Sequence, residues 1–215
     1  MDLRLLSVNV GMPREIGVAD GAAVISGFVK SPVEASSVFV SAVNIEGDGQ
    51  ADRTVHGGAD KAVYCYPVGH WPWWEREQAL PCKPGTFGEN LTIEGCDETT
   101  VAIGDRFRWG DVVLEVSQPR APCYKFSMRT RRPDTPGLMT VSGRTGWYLR
   151  VIRTGNAPVS NSEFVREYGG GGPSVREAFF AAMDPRVSVE SCRRVAGAEG
   201  LAQSWRDAVS RRLLK

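Results

Sequence analysis

The segment R-F-R-W-G-D-V-V-L-E-V, residues 106–116, decides the fold of this chain. Its two halves, Arg106–Trp109 and Val112–Val116, are rich in the aromatic and β-branched residues that favour strands. Between them lies Gly110-Asp111, a two-residue connection of the kind that closes a β-hairpin. The segment therefore predicts two antiparallel strands joined by a tight turn.

Runs of the same kind lie on both sides of this hairpin. They are Leu3–Val10, Val38–Ile45, Ala62–Tyr66, Thr86–Ile93 and Trp147–Ile152. One helix is predicted after Pro67, through Trp71, Trp74 and Gln78. Gly, Pro and Asp separate the runs, and no strand–helix–strand unit repeats, so the pattern predicts a mainly β fold, a barrel or a sandwich.

A different pattern begins after Gly169–Pro173, where four glycines and a proline interrupt the chain. Ser174 and Glu177 have the spacing of a helix capping box, and apolar residues then recur with helical period. Two further stripes predict two more helices, one with Val189, Cys192, Val195 and Ala196, and one with Leu201, Trp205, Ala208, Val209 and Leu213. We therefore divide the chain into a β-barrel domain, residues 1–168, and a small C-terminal three-helix domain, residues 173–215.

The three-helix unit is too small to bury a good core alone, so we expect it to pack on the barrel or on a second subunit. Its apolar stripes are expected to serve the core rather than a cofactor.

Composition excludes several classes of protein. The 215 residues are 42% hydrophobic and 24% charged, with 26 Lys and Arg against 25 Asp and Glu, which is typical of a globular chain. The net charge of +1 gives no global attraction to nucleic acid or to a membrane surface. No long apolar run and no signal-peptide pattern occurs, so we expect a cytoplasmic protein. The five cysteines form no C-x-x-C pair, which disfavours a disulfide framework and a zinc ribbon.

A polar loop at Gly47–Lys61 could bind an anion. Arg53, His56 and Lys61 place three potential cations around Gly57-Gly58, where backbone N–H groups can approach a ligand. This combination suits a phosphate or another oxyanion. A solvated loop between strands is the alternative.

Two further segments carry polar groups among apolar residues. Glu89 and Asn90 interrupt an apolar run, which favours a polar cavity beside that strand or, alternatively, a bulge. Cys123 lies in S-Q-P-R-A-P-C-Y-K, where the cations Arg120 and Lys125 favour the thiolate, the form that binds metals. No other cysteine has two prolines and two cations among its close neighbours in the sequence, so Cys123 is predicted to be functional rather than an inert buried thiol.

Four of these stretches, in this order, resemble the MOSC domain, in particular its YiiM-like branch. They are V-H-G-G-A-D-K-A-V (Val55–Val63), F-G-E-N-L (Phe87–Leu91), I-G-D-R-F-R-W-G (Ile103–Gly110) and S-Q-P-R-A-P-C-Y-K (Ser117–Lys125). The tail is similar to the three-helix domain of the same branch. The resemblance implies a β-barrel that binds the molybdenum cofactor, a molybdopterin, and reduces N-hydroxylated compounds.

The resemblance implies that Cys123 ligates the molybdenum and that Asn90 contacts the cofactor. Charge and motif membership add the remaining predicted cofactor-binding residues, which are Arg53, His56, Gly57, Gly58, Lys61 and Arg120. The candidate proton donors are Glu89, His56 and Asp60, and Arg144 is a further basic candidate.

We therefore expect an enzyme that removes oxygen from a small N-hydroxylated base or amine. Its electrons must come from another protein or a small reductant, because no flavin, nicotinamide or iron–sulfur motif is present. One alternative is a cofactor-binding or sulfur-carrier protein with a persulfide on Cys123 and no turnover of its own. Another is an anion-binding or interaction module with an inert cysteine. A homodimer is left open, and no nucleic-acid or membrane partner is expected.

Overall fold

The computed structural model describes residues 3–51, 57–159 and 162–214. In these ranges the strands are β1 (Arg4–Val10), β2 (Arg14–Ala19), β3 (Ala22–Ser26), β4 (Ser31–Pro32), β5 (Ser37–Val40), β6 (Val63–Pro67), β7 (Leu91–Glu94), β8 (Arg106–Trp109), β9 (Val112–Pro119), β10 (Trp147–Arg153), β11 (Gly155–Pro158), β12 (Ser162–Glu163) and β13 (Val165–Tyr168). The helices are α1 (Trp71–Gln78), α2 (Tyr124–Thr130), α3 (Thr135–Ser142), α4 (Val175–Met183), α5 (Val189–Ala196) and α6 (Gln203–Leu213).

A curled main sheet forms a half-barrel. Its strand order is β12-β1-β7-β6-β10-β9-β8-β13, with β4 paired to β1. The pairs are antiparallel except β6 with β7, which are parallel. The two edge strands, β12 and β13, are separated in the chain by Phe164 alone. One bent segment therefore borders both edges of the sheet, and the predicted mainly β fold is confirmed.

The predicted hairpin is also confirmed. β8 and β9 pair in antiparallel register with Trp109 opposite Val112. Gly110 has a φ of 59°, and a Cβ there would lie 2.8 Å from the carbonyl oxygen of Asn156, so this turn needs glycine. β9 continues to Pro119, three residues beyond the predicted end, and brings the chain directly to the cysteine motif.

Two predicted strands are shorter than expected. The run Thr86–Ile93 becomes a strand only from Leu91, because Gly85 and Gly88 take positive φ values of 80° and 76° and turn the chain. The run Val38–Ile45 ends as a strand at Val40, which forms a bridge back to Ile45. Local turns at these points override the strand propensity of the apolar residues.

The core has two parts. The larger part lies between the main sheet and helices α4–α6, where Phe107, Trp109 and Phe179 are fully buried. The smaller part is an aromatic cluster in which the rings of Tyr66 and Phe87 stack at 3.9 Å. The aromatic cluster also contains Phe126, the third residue of α2, so it supports the segment that follows the cysteine motif.

The three C-terminal helices form as predicted. The Ser174 side chain accepts a hydrogen bond from the Glu177 N–H and completes a capping box. The Val175 N–H donates to the Val101 carbonyl at 2.8 Å, and the Ala202 N–H donates to the Ser117 carbonyl at 2.9 Å. The helices thus lie on the sheet of their own chain and share its core. The division of the chain at Gly169–Pro173 stays a prediction.

No helix in the described ranges combines the length and the hydrophobicity that a bilayer crossing requires.

Candidate active site

A cavity of about 250 Å³, here named the Cys123 cavity, opens where β9 ends and α2 begins. Six stretches of chain supply its walls: the Ser26–Lys30 loop, the Asp48–Ala51 loop, residues 61–64, the turn before β7, residues 118–125 and β10. Trp205 of α6 is also a lining residue. The C-terminal helices, expected to serve only the core, therefore contribute one side chain to this cavity.

Cys123 is the cysteine of the cavity. It is partly exposed and precedes the first residue of α2 with an extended backbone, φ −134° and ψ 163°. Cys65 and Cys192 are buried in the core, and burial raises the pKa of both Cys82 and Cys96 to about 12, which keeps them as thiols. Of the five cysteines, all in described ranges, Cys123 alone lines the cavity.

Arg120 is a buried cation held by aromatic rings. Its guanidinium lies 4.9 Å from the ring centre of Tyr64 and 5.3 Å from that of Phe28. Nη1 also lies 3.4 Å from the Met139 sulfur. Such cation–π contacts stabilise the charge without neutralising it. The cavity therefore keeps a positive field at Arg120.

Two lysines add to this field. Lys61 ends the short 3-10 turn Ala59–Lys61, and burial lowers its pKa while nearby Asp60 raises it. Lys125 is 7% exposed and has neither a hydrogen bond nor an ion pair with the described residues. Lys125 lines the cavity, so its ammonium group is available to bind an anion there.

A second group of lining residues forms a polar network. Its members are Lys30, Asp48 and Asn90. Lys30 Nζ forms an ion pair with Asp48 Oδ1, and the Gly11 N–H donates to the same oxygen at 2.8 Å. Asn90 Nδ2 donates to Asp48 Oδ2 at 2.9 Å, and Asn90 Oδ1 accepts from the Tyr64 N–H at 3.0 Å. Asn90 thus borders the cavity, and its side-chain amide connects its own turn to the Asp48 loop and to β6.

Glu89, predicted as a proton donor, is fully buried and does not line the cavity. Its carboxylate accepts hydrogen bonds from the Gly85 and Phe87 N–H groups at 2.7 and 3.0 Å and from Thr92 Oγ1 at 2.9 Å. Burial raises the pKa of Glu89 to about 7. The Glu89 side chain therefore stabilises the turn at Gly85–Phe87.

Several other predicted residues lie away from the cavity wall. Asp60 pairs with Arg150 at 2.8 Å, and the guanidinium of Arg144 lies 4.5 Å from the ring centre of Trp73. The lining also leaves out Gly57 and Gly58. The predictions for Arg53 and His56 fall outside the described residues.

The groups of the cavity fit an anionic ligand that brings its own metal. Within residues 3–51, 57–159 and 162–214, no three His, Cys, Asp or Glu side chains lie close enough to hold a metal ion. A metal bound by the Cys123 thiolate would thus need a ligand that supplies further soft donors. Gln118 Oε1, buried in the wall, has no hydrogen-bond partner in the described part of the chain and could accept from such a ligand.

The sequence of the MOSC domain matches residues 52–166. The chain belongs to the MOSC family. Its relatives include YflK of Bacillus subtilis, 38% identical over 94% of this chain and 90% of that protein. YiiM of Escherichia coli is 36% identical over 82% of this chain and 80% of that protein.

A solved structure and a longer protein extend the comparison. The crystal structure of YiiM from Geobacillus stearothermophilus matches this MOSC protein with a TM-score of 0.82 and 30% identity, covering 98% of this chain and 99% of that one. A Gibberella moniliformis protein named as a reductase is 41% identical over 125 residues, which are 55% of this chain and 22% of the fungal protein. The resemblance to the YiiM-like branch is thus confirmed over nearly the whole chain.

Proposed function

We propose that this MOSC protein binds molybdenum cofactor and reduces small N-hydroxylated compounds: R–NH–OH + 2 e⁻ + 2 H⁺ → R–NH₂ + H₂O. One observation carries the proposal: the Cys123 cavity combines a partly exposed thiol with the buried cations Arg120 and Lys125. A soft thiolate suits molybdenum, and buried cations suit a phosphate.

In this proposal the Cys123 thiolate holds the metal, and Arg120, Lys61 and Lys125 hold the phosphate of the cofactor. When bound, the cofactor supplies the two-electron chemistry. The aromatic surfaces of Tyr64 and Tyr148, whose ring centres lie 5.2 Å apart, orient the substrate and keep water from it. Two electrons come from a separate donor, another protein or a small reductant.

The relatives support the reductase class. The fungal protein that shares 125 residues with this chain bears the name reductase, although the match spans only 22% of its length. The full-length agreement with YiiM supports the same overall architecture and therefore the same kind of cavity.

The test starts with the full chain purified from a host that makes molybdenum cofactor. Molybdenum and pterin per chain are measured first, followed by reduction of N-phenylhydroxylamine to aniline with reduced methyl viologen as electron donor. We expect close to one molybdenum per chain and catalytic turnover. A chain with labile sulfur on Cys123 but no molybdenum would instead indicate a sulfur carrier, and a chain with molybdenum but no turnover would indicate a cofactor-binding protein.

The Cys123→Ser variant tests the proposed ligand. Serine keeps the size of the side chain but replaces a soft sulfur by a hard oxygen, so we expect turnover to fall at least ~100-fold with the fold retained. Cys82→Ser is the matched control, because Cys82 is also partly exposed but lies outside the cavity. Full activity in Cys123→Ser would contradict the assignment.

A further inference from the structure

We infer that the buried Lys30–Asp48 pair delivers the proton to the oxygen that leaves the N–OH group, with the Lys30 ammonium as the donor. The inference rests on the proposed reductase function and supplies the acid that the reaction requires. Glu89 and Asp60, the described acids favoured by the sequence, do not line the Cys123 cavity. Lys30 and Asp48 do.

The contacts of the pair assign the two roles. Asp48 accepts on both carboxylate oxygens, from Lys30 Nζ, from the Gly11 N–H and from Asn90 Nδ2, and its side chain is 1% exposed. It is therefore held as an acceptor. The Lys30 side chain is 7% exposed, and Asp48 is its one hydrogen-bond partner among the described residues. An ammonium group has three N–H donors, so two remain for a group in the cavity.

Charge separates Lys30 from the other cations of the cavity. Its pair with Asp48 is neutral overall, whereas Arg120 rests on aromatic rings and Lys125 has no partner among the described residues. Arg120 and Lys125 thus suit the anchoring of an anion, whereas the Lys30–Asp48 pair adds no net charge and leaves the remaining Lys30 N–H donors for the N–OH oxygen.

The atoms and electrons of the reaction balance when the external donor supplies two electrons. The N–O bond breaks as two electrons arrive from the external donor, the leaving oxygen takes one proton from the Lys30 ammonium, and water departs. The nitrogen takes the second proton from solvent. The neutral Lys30 amine then regains a proton from solvent, so the lysine is unchanged after each turnover.

The surroundings set the direction of the pH dependence. Burial lowers the pKa of Lys30, while the negative charges of Asp48 and Glu89 raise it. The cavity also carries the Cys123 thiol, three further cations, Lys61, Arg120 and Lys125, and two tyrosines, Tyr64 and Tyr148. Because the protonated form is the active one, the rate declines as the pH rises through the pKa of Lys30. Removal of the Asp48 charge moves this decline to lower pH.

The experiment compares cofactor-loaded full-length protein with Lys30→Met, Lys30→Arg and Asp48→Asn, and with Lys83→Met as an exposed control. Molybdenum and pterin content, the pH profile of N-phenylhydroxylamine reduction, and the pH dependence of Lys30 acetylation by acetic anhydride are measured. We expect both Lys30 variants to keep their cofactor and to lose at least ~100-fold in rate. Arginine keeps the ion pair with Asp48 but does not release its proton. A low rate in Lys30→Arg would therefore show that proton transfer, and not the positive charge alone, is required. In Asp48→Asn both the alkaline limb and the onset of acetylation shift to lower pH.

Several results would overturn the inference. They are full turnover in either loaded Lys30 variant, loss of cofactor from Lys30→Met, which would make Lys30 an anchor, and unchanged pH behaviour in Asp48→Asn. The wild-type protein is assayed before any variant, and it could hold molybdenum without reducing N-phenylhydroxylamine. That result removes the proposed function, and the inference falls with it.

Discussion

Lys125 is a cation of the Cys123 cavity that is available to bind an anion. The residue is 7% exposed, and its ammonium group has no partner among the described residues. We expect Lys125→Met to keep the fold and to lower cofactor affinity by about tenfold or more, because a hydrogen bond to a charged group contributes about 1.5–3 kcal/mol. Cofactor per chain after dialysis measures the loss. Lys83→Met, at an exposed position, is the control and should retain its cofactor.

Glu89 makes the stability of the fold depend on pH. Burial raises the pKa of this carboxyl from 4.5 to about 7, so in that window the folded chain binds a proton that the unfolded chain has released. The free energy of unfolding therefore decreases as the pH rises from about 4.5 to 7. We expect the difference between wild type and Glu89→Gln to change by up to about 3 kcal/mol across this window, as measured by urea denaturation.

Glu94→Gln serves as the control, because Glu94 is exposed on the neighbouring strand β7. Its stability should follow that of wild type at each pH. An equal pH dependence in Glu89→Gln and wild type would show that Glu89 is not the group responsible.

Sequence predicts residues of the cavity where neighbours in the chain are also neighbours in space. Arg120, Cys123 and Lys125 lie within one short motif that joins β9 to α2, so their shared position could be predicted. Lys30 and Asp48 lie 18 positions apart in the chain, and nothing local to either marks the ion pair. Their meeting depends on how the loops fold over the sheet.

At the scale of elements, the turn before β10 links the core to the cavity. Gly146 has a φ of 65°, and a Cβ there would lie 2.3 Å from the Cys65 carbonyl oxygen. The Gly146 carbonyl accepts from the Arg120 N–H at 3.2 Å, and the Gly146 N–H donates to Glu98 Oε1 at 2.6 Å. A change at Gly146 must therefore move the backbone that carries Arg120.

We expect Gly146→Ala to reduce the free energy of unfolding by about 2 kcal/mol or more, through both the overlap and the left-handed backbone. Gly137→Ala in α3 is the control with the opposite sign: a Cβ there meets nothing within 4 Å, and alanine should stabilise the helix by about 0.5–1 kcal/mol. Chemical denaturation of both variants provides the comparison. Equal stability of Gly146→Ala and wild type would contradict the account of this turn.

Sequence predicts the type of most elements but not their ends. The hairpin and the capped helix α4 could be predicted because their signals are local: a two-residue turn, and Ser174 with Glu177. The late start of β7 could not, because an apolar run does not reveal that Glu89 turns inward to bind the N–H groups of Gly85 and Phe87.

At the scale of the whole molecule, the C-terminal helices complete both the core and the cavity. Phe179 and Val209 are fully buried, and Trp205 is both a core residue and a lining residue. We expect a chain that ends at Gly172 to unfold at least about 10 °C lower than the full chain, because it exposes the apolar face of the sheet. Thermal denaturation and binding of a hydrophobic dye measure the effect.

The same truncation removes Trp205 from the cavity wall, so cofactor content should also fall. A chain that ends at Leu213 is the control, since the side chain of Leu214 is 87% exposed. A Gly172 chain as stable as the full one would contradict the role given to the helices.

The bent segment around Phe164 also governs when the fold can be completed. Arg4 of β1 pairs with Glu163, and Val165 of β13 pairs with Arg108, so the sheet gains both edge strands only after nearly the entire barrel sequence has been synthesised. Pairings this distant in the chain slow folding, because a long loop must close before the contact forms. The nascent chain therefore emerges from the ribosome with one edge of β1 unpaired at Arg4 until Glu163 has been synthesised.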